Sequence, residues 1–522
     1  MNWKRFKALP EKIKREEIYY IIGLDIGNDS TGIAFYNMAE AEPEIIDLSG
    51  GYGRPTIPTV MQYIIETKEW VFGEYAILNR GIGREVTLLD LVERLGSSEY
   101  IDIDKGPVSL VNLLGLYIKE LLSSVKNINP KAEIAGIVAS VPSYFSTQAR
   151  EELVRAFKNA GYERELIALI SDRECVFSYH YRDREPENEK SLLIDYGARE
   201  LRGGVYAAGP DSATLRSISS LFEDTIGTRM IEKQVKKLFT DYFVNENPIP
   251  TQAHSEKSLQ DQLMAFTYQH KDILFQKAIR SKAAKIYYNF AFPPFQQVIS
   301  AEEADKLVEP FRRRFNQFIQ QVLGKNQVEK VAASDIDVVI CIGGGFEMLW
   351  VREAIASLLP QGKLRLYKNS KAVTAMGAAG VAAQLLGAIE GQPLKIEDKH
   401  QLAVDIGFEI GQKGQGEKRF IPLAECNSFW WQTHPAKLFI VNAPVEGEVP
   451  ISILSRSPEG ETSILSNESL KGLPERPKGT TRLSVHLKFL SDSEAAVSVS
   501  DHGFGEMFPK TAYEQIIKLK LN

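Results

Sequence analysis

At 522 residues the chain exceeds what a single hydrophobic core normally supports, and its length predicts about three or four structural units. With 44% hydrophobic and 25% charged residues it is not a disordered or fibrous protein. The formal net charge of -6 and a pI near 5.9 argue against coating nucleic acid by charge.

Residues 1–18 are basic and lack an apolar stretch with a cleavage site, so they are expected to form an extension rather than a secretion signal. Tyr19–Asp25 has the continuous apolar character of a buried strand, Gly27–Ser30 supplies turn residues, and Gly32–Asn37 is expected to return as a hairpin partner. A helix over Leu110–Val125, a strand over Ile134–Val141, a helix over Thr147–Ala160 ended by Gly161, and a strand over Leu166–Ile170 follow. The hairpin pattern then recurs: Ser191–Ile194 ends in Asp195-Tyr196-Gly197, and Gly203–Ala208 returns. This repeat predicts a duplicated pair of lobes.

Helices are expected over Leu221–Phe243 and over Gln260–Tyr288, as an added subdomain. The strand Val338–Ile342 then runs into Gly343-Gly344-Gly345, with a helix starting near Met348. Ala372–Ile389 is uncharged enough to suggest a membrane span, but its Ala and Gly content fits a tightly packed buried helix. Glu390–His400 has the polarity of a linker, and beyond Gln401 helical periodicity gives way to alternating segments at Lys437–Val441, Val449–Leu454, Thr481–Leu490 and Ala495–Val499, which predict a β domain.

An Asp closing a buried strand before a Gly sets a carboxylate beside backbone N–H groups that can approach an anion, and the carboxylate can hold Mg2+ or its water. Asp25 with Gly27 and Asp195 with Gly197 form two such turns, and the Gly343–Gly345 turn suits close approach of a ligand at a helix start. Each turn alone has an ordinary structural explanation; the three together point to an anion held between lobes. No G-x-x-x-x-G-K-[ST] sequence occurs, which argues against P-loop chemistry.

The segments Ile21–Gly27, Arg54–Thr59, Val138–Phe145, Ile340–Gly345 and Ala375–Ala379 resemble, in order, those of the actin-like ATPase superfamily and within it the 70-kDa heat-shock chaperones. Leu470–Pro474 and Val497–Asp501 look like that family's peptide-binding β-sandwich. The resemblance implies an α/β fold: a two-lobed actin-like (ribonuclease H-like) ATPase domain over residues 19–389, with lobes at 19–190 and 191–389, a linker over 390–405, and a β-sandwich substrate-binding-like domain over 406–522. It also implies a member without the helical lid, since this sequence stops at Asn522.

By the same resemblance the cofactors are ATP or ADP with Mg2+; Asp25, Asp172 and Asp195 are the catalytic positions, and Asp25 and Asp195 are the metal side. Gly27, Asn28, Asp29, Gly197, Gly227, Lys282, Lys285, Gly343, Gly344 and Gly345 are the nucleotide contacts, with Arg280, Lys282 or Lys285 on the long helix reaching the ribose.

Several positions depart from the family's pattern. Its Thr pair at the phosphates becomes Asn28 and Asp29, its glycine-rich second turn becomes Gly197-Ala198-Arg199-Glu200, and its second metal-side Asp becomes Arg202. The catalytic Lys is matched by Val92, with Arg84 or Arg94 as possible substitutes; the family's Glu becomes Asp172, its switch Pro becomes Arg173, and the Arg over the base becomes Glu347.

The expectation is a heat shock protein 70-like chaperone, ATP-binding and weakly hydrolytic, in which nucleotide state is coupled to peptide binding. The alternative is a pseudo-ATPase scaffold or sensor for a dedicated partner protein. Partners are expected to be unfolded peptides or that dedicated protein, with a co-chaperone, and neither nucleic acid nor membrane. Cys175, Cys341 and Cys426 lack CxxC spacing, which suggests neither a disulfide framework nor a cysteine zinc site and fits a reducing cytoplasm. The seven scattered His residues are assigned to no metal. Phe429, Trp430 and Trp431 are either β-domain core or a binding surface.

Overall fold

The computed structural model describes residues 19–521 apart from 50–53, 82, 105, 129, 144, 187, 210, 224, 247–255, 273–282, 290–293, 326–330, 360, 398–401, 403, 411–419, 427, 429–433, 442–448, 458–459 and 490–493. Phe429, Trp430 and Trp431 therefore lie outside the described residues, as do Arg280 and Lys282. The chain divides into two units, residues 1–397 and 398–522.

The first unit is mixed α/β and built on two sheets of like topology. In the first, Tyr19–Ile26 pairs antiparallel with Ser30–Asn37 on one side and parallel with Glu133–Val141 on the other, and Leu166–Ser171 extends the parallel side. In the second, Lys190–Tyr196 takes the central place, antiparallel to Leu201–Ala208 and parallel to Val338–Ile342. The hairpin turns match as well: Gly27 N–H donates to Ser30 O and Gly197 N–H to Glu200 O, each at 3.0 Å. Both central strands are buried on both faces, which is why they are almost wholly apolar up to the terminal Asp.

Local signals account for the helices beside the first sheet. Thr147–Ala160 starts where Ser146 Oγ accepts the Ala149 N–H and stops at Gly161, whose φ of 88° is the left-handed conformation a glycine adopts freely. Leu110–Ile128 lays Leu114, Tyr117, Ile118 and Leu121 into the core of the first lobe.

Val373–Leu385 joins the two cores, its Val373, Ala375 and Met376 packing with Leu193 and Ile340 of the second sheet while Ala378 and Ala382 pack with Ile21 and Val138 of the first. Small residues make this possible. A Cβ on Gly377 would lie 1.8 Å from the Cys175 carbonyl oxygen, and one on Gly23 2.1 Å from that of Ala375. Because backbone blocks it, Gly377→Ala is expected to cost about 1–3 kcal/mol or more of stability in thermal unfolding; an unchanged melting temperature would refute this packing. Among the described residues no helix is long and apolar enough to cross a membrane.

Two sequence expectations fail here. Leu221 and Phe222 complete the strand Thr214–Glu223, and the helix begins only at Thr228. The second expected helix covers Glu256–Asp272, but Ala283–Tyr288 is a strand paired with Phe295–Ser300, its alternating exposure set by Ala284, Ile286 and Tyr288 pointing inward. Lys395–Glu397, within the expected linker, joins the second sheet parallel to Thr214–Glu223.

The second unit contains two four-stranded antiparallel sheets. One is ordered Ile421–Ala424, Asp405–Ile410, Val449–Arg456, Thr462–Leu470; the other Lys437–Val441, Thr481–Phe489, Glu494–Asp501, Glu514–Lys520. Phe408, Ile453 and Leu470 from the first share one core with Val485, Val497 and Ile517 from the second, so the unit is a β-sandwich. Cys175, Cys341 and Cys426 are all free thiols.

Candidate functional site

The two hairpin turns, the Gly343-Gly344 turn and the start of Asp172–His180 converge on one cleft of about 200 Å3 in the first unit. Asp25, Gly27, Asn28 and Asp29 line it from one lobe with Val92 and Asp172; Asp195, Gly197, Gly343 and Gly344 line it from the other.

Gly343, with φ 89°, sits so close to its neighbour that a Cβ would come 2.5 Å from the Tyr196 carbonyl oxygen. Three expected contacts are placed differently. Gly345 is buried against the Tyr196 ring and Gly227 lies beneath the second turn, where a Cβ would come 2.0 Å from the Arg199 carbonyl oxygen. Lys285 is exposed on its strand and does not line the cleft, because the helix expected to carry it ends earlier. Neither Arg84 nor Arg94 takes the place of a catalytic Lys: Arg84 is exposed, and Arg94 is engaged by Glu99 at 2.5 and 2.8 Å.

At the centre is Arg202. The hairpin register sets it opposite Asp195, and its guanidinium spans three carboxylates: Nη1 donates to Asp172, Nη2 to Asp195 at 2.6 Å, and Nε lies 3.3 Å from Glu200. Asp172 thereby meets Asp195 through a shared cation, though they come from different lobes. Burial raises the Asp195 and Glu200 carboxyls above the usual carboxylate range, and Arg202 opposes that rise.

Asp25 stands apart from this bridge, accepting a hydrogen bond from Ser140 Oγ at 2.5 Å across the parallel strand pair. Burial raises its pKa from 3.8 to about 7, the Ser140 hydrogen bond opposing and Asp172 and Asp195 adding to the rise. A carboxyl raised on folding contributes stability below its unfolded pKa, and this is lost as pH climbs through the folded value. Asp25→Asn, which keeps an acceptor for Ser140, is therefore expected to gain on the wild type progressively between about pH 4 and pH 7 and then level off. Thermal unfolding across that range checks it, and a pH-independent difference would contradict the assignment.

Mg2+ does not fit this arrangement. Of the two expected metal-side carboxylates, Asp195 already accepts from the Arg202 guanidinium, as Asp172 does, and Asp25 accepts from Ser140, so a cation there would have to displace Arg202. Nor is the cleft built for a triphosphate. Seven carboxylates line it against four cationic side chains, and each cation has an acidic partner: Arg202 as above, Arg199 with Glu93 at 3.1 Å, Lys371 with Glu347 at 2.9 Å, and Lys271 with Glu232.

The mouth is clasped by the chain itself. Arg229 reaches from the second lobe to Asp90 and to the Asn28 carbonyl at 2.9 Å, while Asn28 Oδ1 accepts the Glu93 N–H at 2.9 Å. The turn expected to face phosphate is thus occupied by protein contacts. Arg229 and Lys271 escaped the sequence reading, and Ser140 entered it only within the Val138–Phe145 segment. Only Ser140, at the end of a strand that would run beside Asp25, carried a sequence signal.

Residues 42–204 match the model of a family of unknown function (DUF5716), C-terminal, and residues 401–520 match a domain of unknown function (DUF8552). Over 496 residues the chain is 21% identical to the chaperone protein DnaK of Thermosipho melanesiensis, covering 93% of this chain and 79% of that one. It is equally similar, over the same shares, to the chaperone protein DnaK of Thermosipho africanus. The likeness is distant and runs through both units.

Proposed function

We propose that the chain is a heat shock protein 70-like protein, with an actin-like two-lobed unit, whose cleft no longer turns over Mg2+-ATP and whose β-sandwich binds an extended peptide or a dedicated protein partner. The observation that carries this reading is Arg202, bound to Asp172 and Asp195 where phosphoryl transfer would need a metal. The distant likeness to DnaK chaperones along both units supports peptide or protein binding as the retained activity. On this reading residues 19–389 form the nucleotide-type domain and 406–522 the binding domain.

The test is steady-state ATP turnover, together with peptide affinity measured with and without ATP and Mg2+. No turnover above background and an unchanged peptide affinity are expected. Turnover abolished by Asp195→Ala would sink the reading. The second reading, a chaperone whose nucleotide state governs peptide release, rests on the same likeness; ATP binding with a weakened peptide complex would favour it.

A further inference from the structure

A second cleft, open and polar with a volume of about 620 Å3, lies in the first unit away from Asp25 and Asp195. His180, at the end of its helix, Arg182 and Arg184 just after it, and Arg365 and Tyr367 from the segment after Val338–Ile342 line it.

Its hydrogen bonds fix the direction of its donors. Arg184 Nη2 lies 3.1 Å from His180 Nε2, and a guanidinium cannot accept, so Nε2 is the acceptor. His180 Nδ1, 2.7 Å from Tyr367 Oη, then carries the proton and donates to it. The Tyr367 hydroxyl hydrogen is left without an acceptor among the described residues.

Three carboxylates line the cleft beside its three arginines, but among the described residues none of them pairs with Arg365. Glu189 is taken by both Nη atoms of Arg184, Asp337 accepts the Lys190 N–H, and Asp183, 3.4 Å from Arg182, is mostly exposed. Arg365 donates only to the Gly362 and Leu364 carbonyls, at 3.4 and 3.3 Å, among the described residues. Consistent with this field, His180 is pulled down to about 4 by burial and by Arg184, Arg365 and Arg182.

We propose that this cleft is an oxyanion-binding site, taking a phosphate or carboxylate group between the Arg365 and Arg182 guanidiniums and the Tyr367 hydroxyl. Charge-assisted bonds to planar guanidinium groups suit both oxyanions.

The experiment is calorimetric titration of the full chain with inorganic phosphate and, separately, with citrate. Binding is expected to fall about ten-fold in Arg365→Gln and in Tyr367→Phe, and to be unchanged in Arg199→Ala, which lies in the other cleft. Tyr367→Phe keeps the ring that packs on Tyr179, so its loss of affinity is not a loss of fold. Nuclear magnetic resonance titration of His180 reads the same event, since a bound anion raises its pKa. Binding of phosphate alone or citrate alone would name the ligand chemistry and support the site. Absence of binding by either, affinity indifferent to both substitutions, or affinity lost in Arg199→Ala would overturn it.

Discussion

Arg202→Met is expected to destabilise the first unit by about 3–5 kcal/mol near pH 8, the usual cost of removing one partner from a buried ion pair. Met keeps most of the apolar stem and removes only the charge. Asp172, 8% exposed, and Glu200, 9% exposed, would then face Asp195 with no cation between them. Asp195 and Glu200 escape by protonation, since burial already raises both. A group whose folded pKa is raised is stabilising at low pH and loses that contribution as pH rises, so the deficit should be largest at pH 8 and shrink towards pH 5. Millimolar Mg2+ should stabilise the variant and leave the wild type unchanged, because only the variant frees the carboxylates. Denaturant unfolding at the two pH values, with and without Mg2+, measures all three effects. A loss below about 1 kcal/mol, or an equal response of both proteins to Mg2+, would show that Arg202 does not stand in for a metal.

That arrangement was half legible in the sequence. The turn Gly197–Glu200 sets the register of its hairpin, so Arg202 falls opposite Asp195 by counting alone. Asp172 reaches the same guanidinium from the start of the helix Asp172–His180, which follows a strand of the other sheet, and no local spacing records that meeting. The clasp at Arg229 was hidden for the same reason, since Asp90 lies 139 positions away in the chain.

The two hairpins at the centre of the sheets were plain, because a fully buried strand ending in Asp and Gly writes its burial into consecutive residues. The failures fell where two periods compete. Ala283–Tyr288 alternates in exposure as a strand does, yet it follows a real helix closely enough for its apolar residues to continue a helical stripe. Lys285 was misplaced with it.

The β-sandwich carries a second buried ion pair, and its removal should be comparably costly. Arg476 and Asp501 have side chains only 5% and 0% exposed, and both Asp501 oxygens are engaged by Arg476, at 2.9 and 2.7 Å. Asp501 also accepts the N–H groups of Gly503 and Thr511 and the Thr511 hydroxyl, so one carboxylate ties the Arg476 segment to the turn after its own strand. Burial alone would raise this carboxyl, but the Arg476, Gly503 and Thr511 hydrogen bonds outweigh it and bring its pKa down from 3.8 to about 2. Arg476→Ala is therefore expected to cost about 3–5 kcal/mol at neutral pH, since the other donors cannot neutralise a fully buried charge. A group with a depressed folded pKa stabilises above its unfolded value, and that contribution is lost as pH falls. The gap between wild type and variant should thus close between about pH 4 and pH 2, as protonation removes what Arg476 was holding. Hydrogen exchange of amides in Thr481–Phe489 and Glu494–Asp501 follows this in the intact chain. A gap that stays constant into acid would mean that Arg476 acts by packing over Phe508 rather than by charge.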